Sequence, residues 1–226
     1  MMPKSVDLLP TYNLETGAHP THTVIWMHGL GADGNDFVPI VSELNLDPGA
    51  HIRFVFPHAP LRSITINNGY VMRAWYDISY NNLQHEEDEI GIRDSHKAID
   101  KLIDHEIACG TKPENIIIAG FSQGGAMALH VGLRQKNNLA GILALSCYLP
   151  LANTLLVEAQ SANSSIPIFM AHGNGDLVIP VTLAKASRDL LLEASYEVEW
   201  HEYAMEHAVC AEEIVDMSRW IRRIIR

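Results

Sequence analysis

A chain of 226 residues, 47% of them hydrophobic, has enough apolar material for one α/β domain with a sizeable core, and its composition excludes disorder. The formal net charge of −11 argues against nucleic acid or an anionic membrane as the main partner, and no apolar run approaches the ~20 residues of a membrane span. Three cysteines, Cys109, Cys147 and Cys210, lack CxxC spacing, which favours free thiols in a reducing cytoplasm over a disulfide framework.

The opening Met1-Met2-Pro3-Lys4-Ser5-Val6-Asp7 has no long apolar region before a cleavage site, so no secretory leader is expected. An apolar run at 23–27 predicts a buried strand, ending in the glycine-rich loop His28-Gly29-Leu30-Gly31-Ala32-Asp33-Gly34. A helix is expected over 37–44, then a strand over 51–57 stopped by Pro57. Strand, loop and helix in alternation predict parallel βαβ units. Between 61 and 87 the pattern breaks. Ser63-Ile64-Thr65-Ile66 and Tyr70-Val71-Met72 flank Asn67-Asn68-Gly69, predicting a hairpin with a type I′ turn at Asn68-Gly69. An aromatic loop with Trp75, Tyr76 and Tyr80 follows, and the whole reads as an insertion on the sheet. Its large apolar side chains (Leu61, Ile64, Val71, Met72 and Trp75) are candidates for the wall of a substrate pocket, or for a homodimer face.

Ile92, Ile99, Leu102, Ile103 and Ile107 keep helical spacing, with Cys109-Gly110 as the stop. Further buried strands are expected at 116–119, 139–146 and 166–171, with a helix to about Lys136 after the first and a helix over 180–194 after the last. The stretch 197–203 alternates polar and apolar residues, as a half-exposed edge strand does, with His201 on its exposed face. A final amphipathic helix reaches the C-terminus, and no linker or repeat divides 1–226 into more than one domain.

At Gly120-Phe121-Ser122-Gln123-Gly124 a strand runs straight into a small-residue helix. That is the spacing of a nucleophile elbow, a turn so sharp that side chains at the two glycines would collide. It lifts the Ser122 hydroxyl clear of the sheet and leaves the Gln123 N–H unpaired at a helix N-terminus, where negative charge is favoured. A nucleophilic serine needs a base, and the base needs a carboxylate. After Ser122, only Asp176 lies just beyond a buried strand; Asp189 and Asp216 fall within helices. Of the later histidines, His207 occupies a post-strand loop. Ser122, Asp176 and His207 therefore fall in the chain order this chemistry requires. Leu30, in the loop after the first buried strand, is the candidate second oxyanion donor beside Gln123. The twelve histidines form no HExxH and no Cys–His finger spacing, so neither a metal nor another cofactor is expected.

With these residues in hand, the sequence resembles the phospholipase/carboxylesterase family of α/β-hydrolases, which includes bacterial carboxylesterases and acyl-protein thioesterases. The matching blocks are His28-Gly29-Leu30-Gly31, Pro57-His58-Ala59-Pro60, Trp75-Tyr76-Asp77, Gly120-Phe121-Ser122-Gln123-Gly124-Gly125, Leu145-Ser146-Cys147-Tyr148-Leu149-Pro150, His172-Gly173 with Asp176 and Pro180, and Met205 to His207. The resemblance implies an α/β-hydrolase fold: a mostly parallel central sheet flanked by helices, with a short insertion near 61–87. It also carries over Ser122, Asp176 and His207 as a triad, with Leu30 and Gln123 as the oxyanion hole. Two departures stand out. Met72-Arg73-Ala74-Trp75 replaces Met-Pro-Ser-Trp, and Glu206 replaces a small or apolar residue before His207. The first expectation is a serine carboxylesterase acting on small to medium acyl esters. The alternative is an acyl-protein thioesterase or lysophospholipase, and a hydrolase-fold binding protein without turnover is the rival from outside the enzymes.

Overall fold

The computed structural model describes residues 8–81 and 84–225, without the side chains of 80–86; the expectations for residues 1–7 and for the Tyr80 ring lie outside the described residues. The chain forms strands β1 (Thr11–Glu15), β2 (His22–Met27), β3 (Ile52–Pro57), β4 (Leu61–Ile64), β5 (Tyr70–Arg73), β6 (Ile78–Asn81), β7 (Gln84–Glu87), β8 (Ile116–Phe121), β9 (Gly141–Leu145), β10 (Ile168–Gly173) and β11 (Val198–Tyr203). Its helices are α1 (Ile40–Glu43), α2 (Glu89–Ala108), α3 (Gln123–Arg134), α4 (Leu155–Glu158), α5 (Val181–Glu193) and α6 (Ala211–Ile224).

The central sheet runs β1-β3-β2-β8-β9-β10-β11, parallel throughout except for β1. Its inner strands are mostly apolar because both faces are covered, whereas the edge strands β1 and β11 mix polar and apolar residues. Alternate residues serve opposite layers: Ile116 and Ile118 of β8 join Ile99, Leu102 and Ile103 of α2 and Leu129 of α3. Ile117 and Ala119 instead join Phe54, Phe169 and, from α6, Met217, Trp220 and Ile221. Each such isoleucine contributes on the order of 2 kcal/mol when fully buried, so the sheet needs a helical cover on each side.

Several expectations change in detail. The helix expected over 37–44 shrinks to α1, because Pro39 has no N–H to donate and Asp36, Val38 and Ile40 close tight turns onto the carbonyls three residues back. The hairpin forms, pairing Ile64 with Tyr70, and Asn68 and Gly69 adopt φ of 55° and 77°. Its turn is longer than type I′, because a 3₁₀ turn at Thr65–Asn67 intervenes. The Asp77 carboxylate holds that turn, accepting from Thr65 N at 2.7 Å and from Thr65 Oγ1 at 2.5 Å. The antiparallel edge strand β1 and the ladder β6–β7 were not legible in the pattern. His201 is half-buried rather than exposed, stacked on Phe169 at 5.0 Å with Asp216 of α6 3.5 Å away, because α6 packs over that face.

Candidate active site

Strand order brings the candidate residues together. β2 lies between β3 and β8, so the chain reverses its direction of travel across the sheet there, and open parallel sheets bind ligands at such a switch point. Met27 is in register with Gly120, so the Leu30 loop and Ser122 emerge side by side. At the other strands, Gly173 pairs with Tyr203, which places the loops carrying Asp176 and His207 next to each other. Asn174 N and Gly175 N donate to Tyr203 O and Met205 O at 2.9 and 3.0 Å, tying those two loops into one unit.

Ser122 has φ 55° and ψ −121°, a conformation L-residues avoid at a cost of roughly 1–3 kcal/mol. The surroundings enforce it. A Cβ on Gly120 would stand 2.2 Å from Gly124 O, and one on Gly124 would stand 2.2 Å from Met27 O. Ser122 N donates to Leu145 O at 2.8 Å, and Ala126 N closes the first helical turn onto Ser122 O. The hydroxyl is left free to face the loops, with the residue 9% exposed.

Ser122 Oγ lies 2.9 Å from His207 Nε2, and His207 Nδ1 lies 2.6 Å from Asp176 Oδ2. The remaining Asp176 oxygen accepts from Val178 N and Ile179 N at 2.8 and 2.9 Å. His172 adds a contact that sequence reasoning missed: its Nε2 is 3.3 Å from Asp176 Oδ2 and 2.8 Å from Ile179 O. Burial lowers the His172 pKa, which favours the neutral ring. The Ile179 carbonyl then requires the proton on Nε2, which leaves Nδ1 bare and without a partner. Its place four residues before Asp176 on β10 was the one available signal. Glu206 is exposed, and its carbonyl accepts from Ala208 N.

On the opposite side, Leu30 N has no acceptor among the described residues, and Gln123, as the first residue of α3, has no intrahelical one. The Leu30 loop is held by neutral His28, whose pKa burial lowers: its Nδ1 donates to Gly29 O at 2.7 Å and its Nε2 accepts from Ala59 N at 3.0 Å. Arg73 donates through a guanidinium nitrogen to Ala59 O at 2.8 Å, so this departure from the family pattern is tied into the same loop cluster.

A cavity of about 340 Å³ opens beside Ser122, lined by Leu30, Ile66, Tyr76, Ile78, Gln123, Tyr148, Val178, Ile179, Pro180 and Leu183 among others. None of Leu61, Ile64, Val71, Met72 or Trp75 lines it, a correction to the expected acyl wall. Leu61 and Val71 point to solvent, and Ile64 and Trp75 are fully buried beneath the insertion. Met72 sits one layer back, its sulfur 3.5 Å from Asn67 Nδ2. The 3₁₀ turn is the reason: it pushes the hairpin tip, Ile66 and Asn67, toward Ser122 in place of the strand residues. The apolar run Leu177-Val178-Ile179-Pro180 directly after Asp176 was the available signal for this part of the wall.

Among the described residues, no group of three His, Cys, Asp or Glu side chains is arranged to hold a metal ion, and no helix is long and apolar enough to cross a membrane. A family model described as Phospholipase/Carboxylesterase matches residues 14–225. Acyl-protein thioesterase 1 of Neurospora crassa is 43% identical over 209 residues, covering 87% of this chain and 84% of its own length. Acyl-protein thioesterase 1 of Yarrowia lipolytica is 35% identical over 222 residues, covering 96% and 98%. The crystal structure of Arabidopsis thaliana SOBER1 superposes with a TM-score of 0.84 at 31% identity, covering 91% of this chain and 99% of that one. The crystal structure of Zea mays acyl-protein thioesterase 2, at 24% identity and a TM-score of 0.84 over 96% of this chain and 99% of its own, is alike in fold.

Proposed function

The chain belongs to the phospholipase/carboxylesterase family and has the α/β-hydrolase fold, and on that premise we propose that it cleaves acyl thioesters of proteins through an acyl-enzyme on Ser122. That it is a serine hydrolase of acyl esters or thioesters follows from the family. The preference for thioesters reverses the order read from the sequence, and its support is the acyl-protein thioesterase relatives. The whole of 1–226 acts in this reading as one cytoplasmic domain. The observation that carries the mechanism is the continuous path from Ser122 Oγ through His207, at 2.9 Å, to Asp176, at 2.6 Å, beside an apolar cavity.

In this reading His207 Nε2 takes the Ser122 proton as Oγ attacks the acyl carbonyl, and the Leu30 and Gln123 amides accommodate the oxyanion. Collapse of the tetrahedral intermediate expels the leaving group with the proton His207 has gained. A thiol, with a pKa of about 8.5, leaves as the better anion and needs less of that proton than an alcohol does. Water, deprotonated by the same histidine, then hydrolyses the Ser122 ester. Asp176 orients the ring and stabilises its charged form.

Turnover of a palmitoyl-thioester peptide, set beside p-nitrophenyl esters of graded chain length, tests the substrate. Higher kcat/KM on the thioester supports the reading, and confinement to short esters returns the carboxylesterase. A fluorophosphonate that labels the parent and the Ser122→Ala variant equally would sink the acyl-enzyme.

A further inference from the structure

The run from Arg73 to Tyr76 takes no part in the proton path, yet it reaches both candidate oxyanion donors. These donors come from separate elements, Leu30 from the loop after β2 and Gln123 from the start of α3. Arg73 O accepts from Gly31 N at 2.9 Å, and the Trp75 indole Nε1 donates to His28 O at 2.9 Å, so Leu30 is bracketed on both sides. Trp75 N donates to Gln123 Oε1 at 2.8 Å, and Gln123 Nε2 donates to Tyr76 O at 2.7 Å. Ser95 Oγ, from α2, donates to Trp75 O. These bonds fix the segment to the Leu30 loop, to the elbow and to the scaffold.

We propose that Trp75, with the Gln123 side chain, is a positioning residue that sets the separation of the two oxyanion donors, making this part of the insertion a rigid clamp rather than a moving lid. The proposal rests on the acyl-enzyme reading above. Trp75 and His28 are at most 1% exposed and Gln123 is 3% exposed, so water cannot replace a lost bond, and each deletion leaves a buried polar group unpaired. Trp75 is absent from the cavity lining, which removes its simpler role as acyl wall. Stabilisation of a developing oxyanion depends on donors already placed where charge will form, and misplacement by about 1 Å costs up to ~100-fold in rate. The clamp acts on the oxyanion and not on bound substrate, which separates it from a binding role.

The test is Trp75→Phe, which keeps an aromatic ring and deletes the indole N–H, alongside Gln123→Met, which deletes both side-chain bonds and keeps the main-chain N–H. In each, kcat on p-nitrophenyl butyrate should fall about 10- to 100-fold with KM within about 2-fold of the parent. Affinity for a trifluoromethyl ketone, which adds Ser122 Oγ across its carbonyl to form an oxyanion, should fall in proportion. The pH of half-maximal kcat/KM should not move, because the clamp does not touch His207; general slackening of the site would move it. Unchanged kcat in either folded variant, or a raised KM alone, overturns the clamp. If Trp75→Phe does not fold, Gln123→Met carries the same readouts. A fully active Ser122→Ala protein would overturn the acyl-enzyme reading itself. An inactive Ser122→Ala with fully active clamp variants overturns the clamp alone.

Discussion

On one side of Ser122, side chains touch side chains: hydroxyl to imidazole at 2.9 Å, imidazole to carboxylate at 2.6 Å, and a second imidazole 3.3 Å from that carboxylate. On the other side, in the proposed reading, the chemistry belongs to main-chain amides, and the hydrogen bonds of Trp75 and Gln123 would hold those amides in place. The contrast has an energetic consequence. Substitution on the proton side deletes a participant, whereas substitution on the oxyanion side displaces one that is still present. Losses should therefore be steep on the first side and graded on the second.

The steepest is Ser122→Ala, expected to lower kcat by about 10⁶-fold while leaving residual catalysis above water from the oxyanion donors. Asp176→Asn should cost about 10⁴-fold, because an amide in that place allows the wrong His207 tautomer. Steady-state kinetics on one ester substrate ranks both, and a smaller loss for Ser122→Ala than for Trp75→Phe would break the contrast. Below the clamp variants comes His172→Phe, which leaves the Ile179 carbonyl unpaired and removes the neutral ring beside Asp176. A loss of about tenfold in kcat/KM is expected, since the remaining donors still fix the carboxylate.

The smallest effect on activity and the clearest on stability concerns Glu213, on the helix that follows the His207 loop. It is fully buried, and neither carboxylate oxygen meets a donor. Burial pushes its pKa up to about 8, against the pull of the nearby Cys210 N–H, which does not reach hydrogen-bond geometry. The folded state therefore holds this proton more tightly than the unfolded chain, whose glutamate titrates near 4.5. Its contribution to stability is complete below about pH 4.5 and is lost as pH rises through about 8. Glu213→Gln keeps a neutral group of the same shape, so its melting temperature should exceed that of the parent above pH 8, by the equivalent of a few kcal/mol, and converge with it in acid. Melting curves across pH 5–9 that run parallel for the two proteins would contradict the assignment.

Legibility followed the same division. Ser122, Asp176 and His207, the proposed triad, could be singled out because each is a reactive residue type in a loop or turn just past a strand of the central sheet, β8, β10 and β11 respectively. Leu30 and Gln123 could be named only by position, since any residue supplies an N–H. The acyl wall was misread because apolar character does not say which way a side chain points. Ile64 and Val71 belong to one hairpin, yet one is buried and the other faces solvent, while a polar-flanked turn delivers Ile66 to the cavity. His172 looked like the end of a buried strand, and only the return of the 176–179 loop over it revealed its partners.

Hydrophobic periodicity and the order of the reactive residues determined the layered architecture, the elbow and the choice of candidate proton-handling groups, because these depend on local sterics and on burial that every strand must satisfy. The cavity lining, the lowered pKa of His28 and His172, and the hydrogen bonds of Trp75 and Gln123 behind the proposed clamp were decided by tertiary structure. Each of them depends on which distant main-chain group comes within about 3 Å in a dry interior, a quantity that no single stretch of the chain encodes.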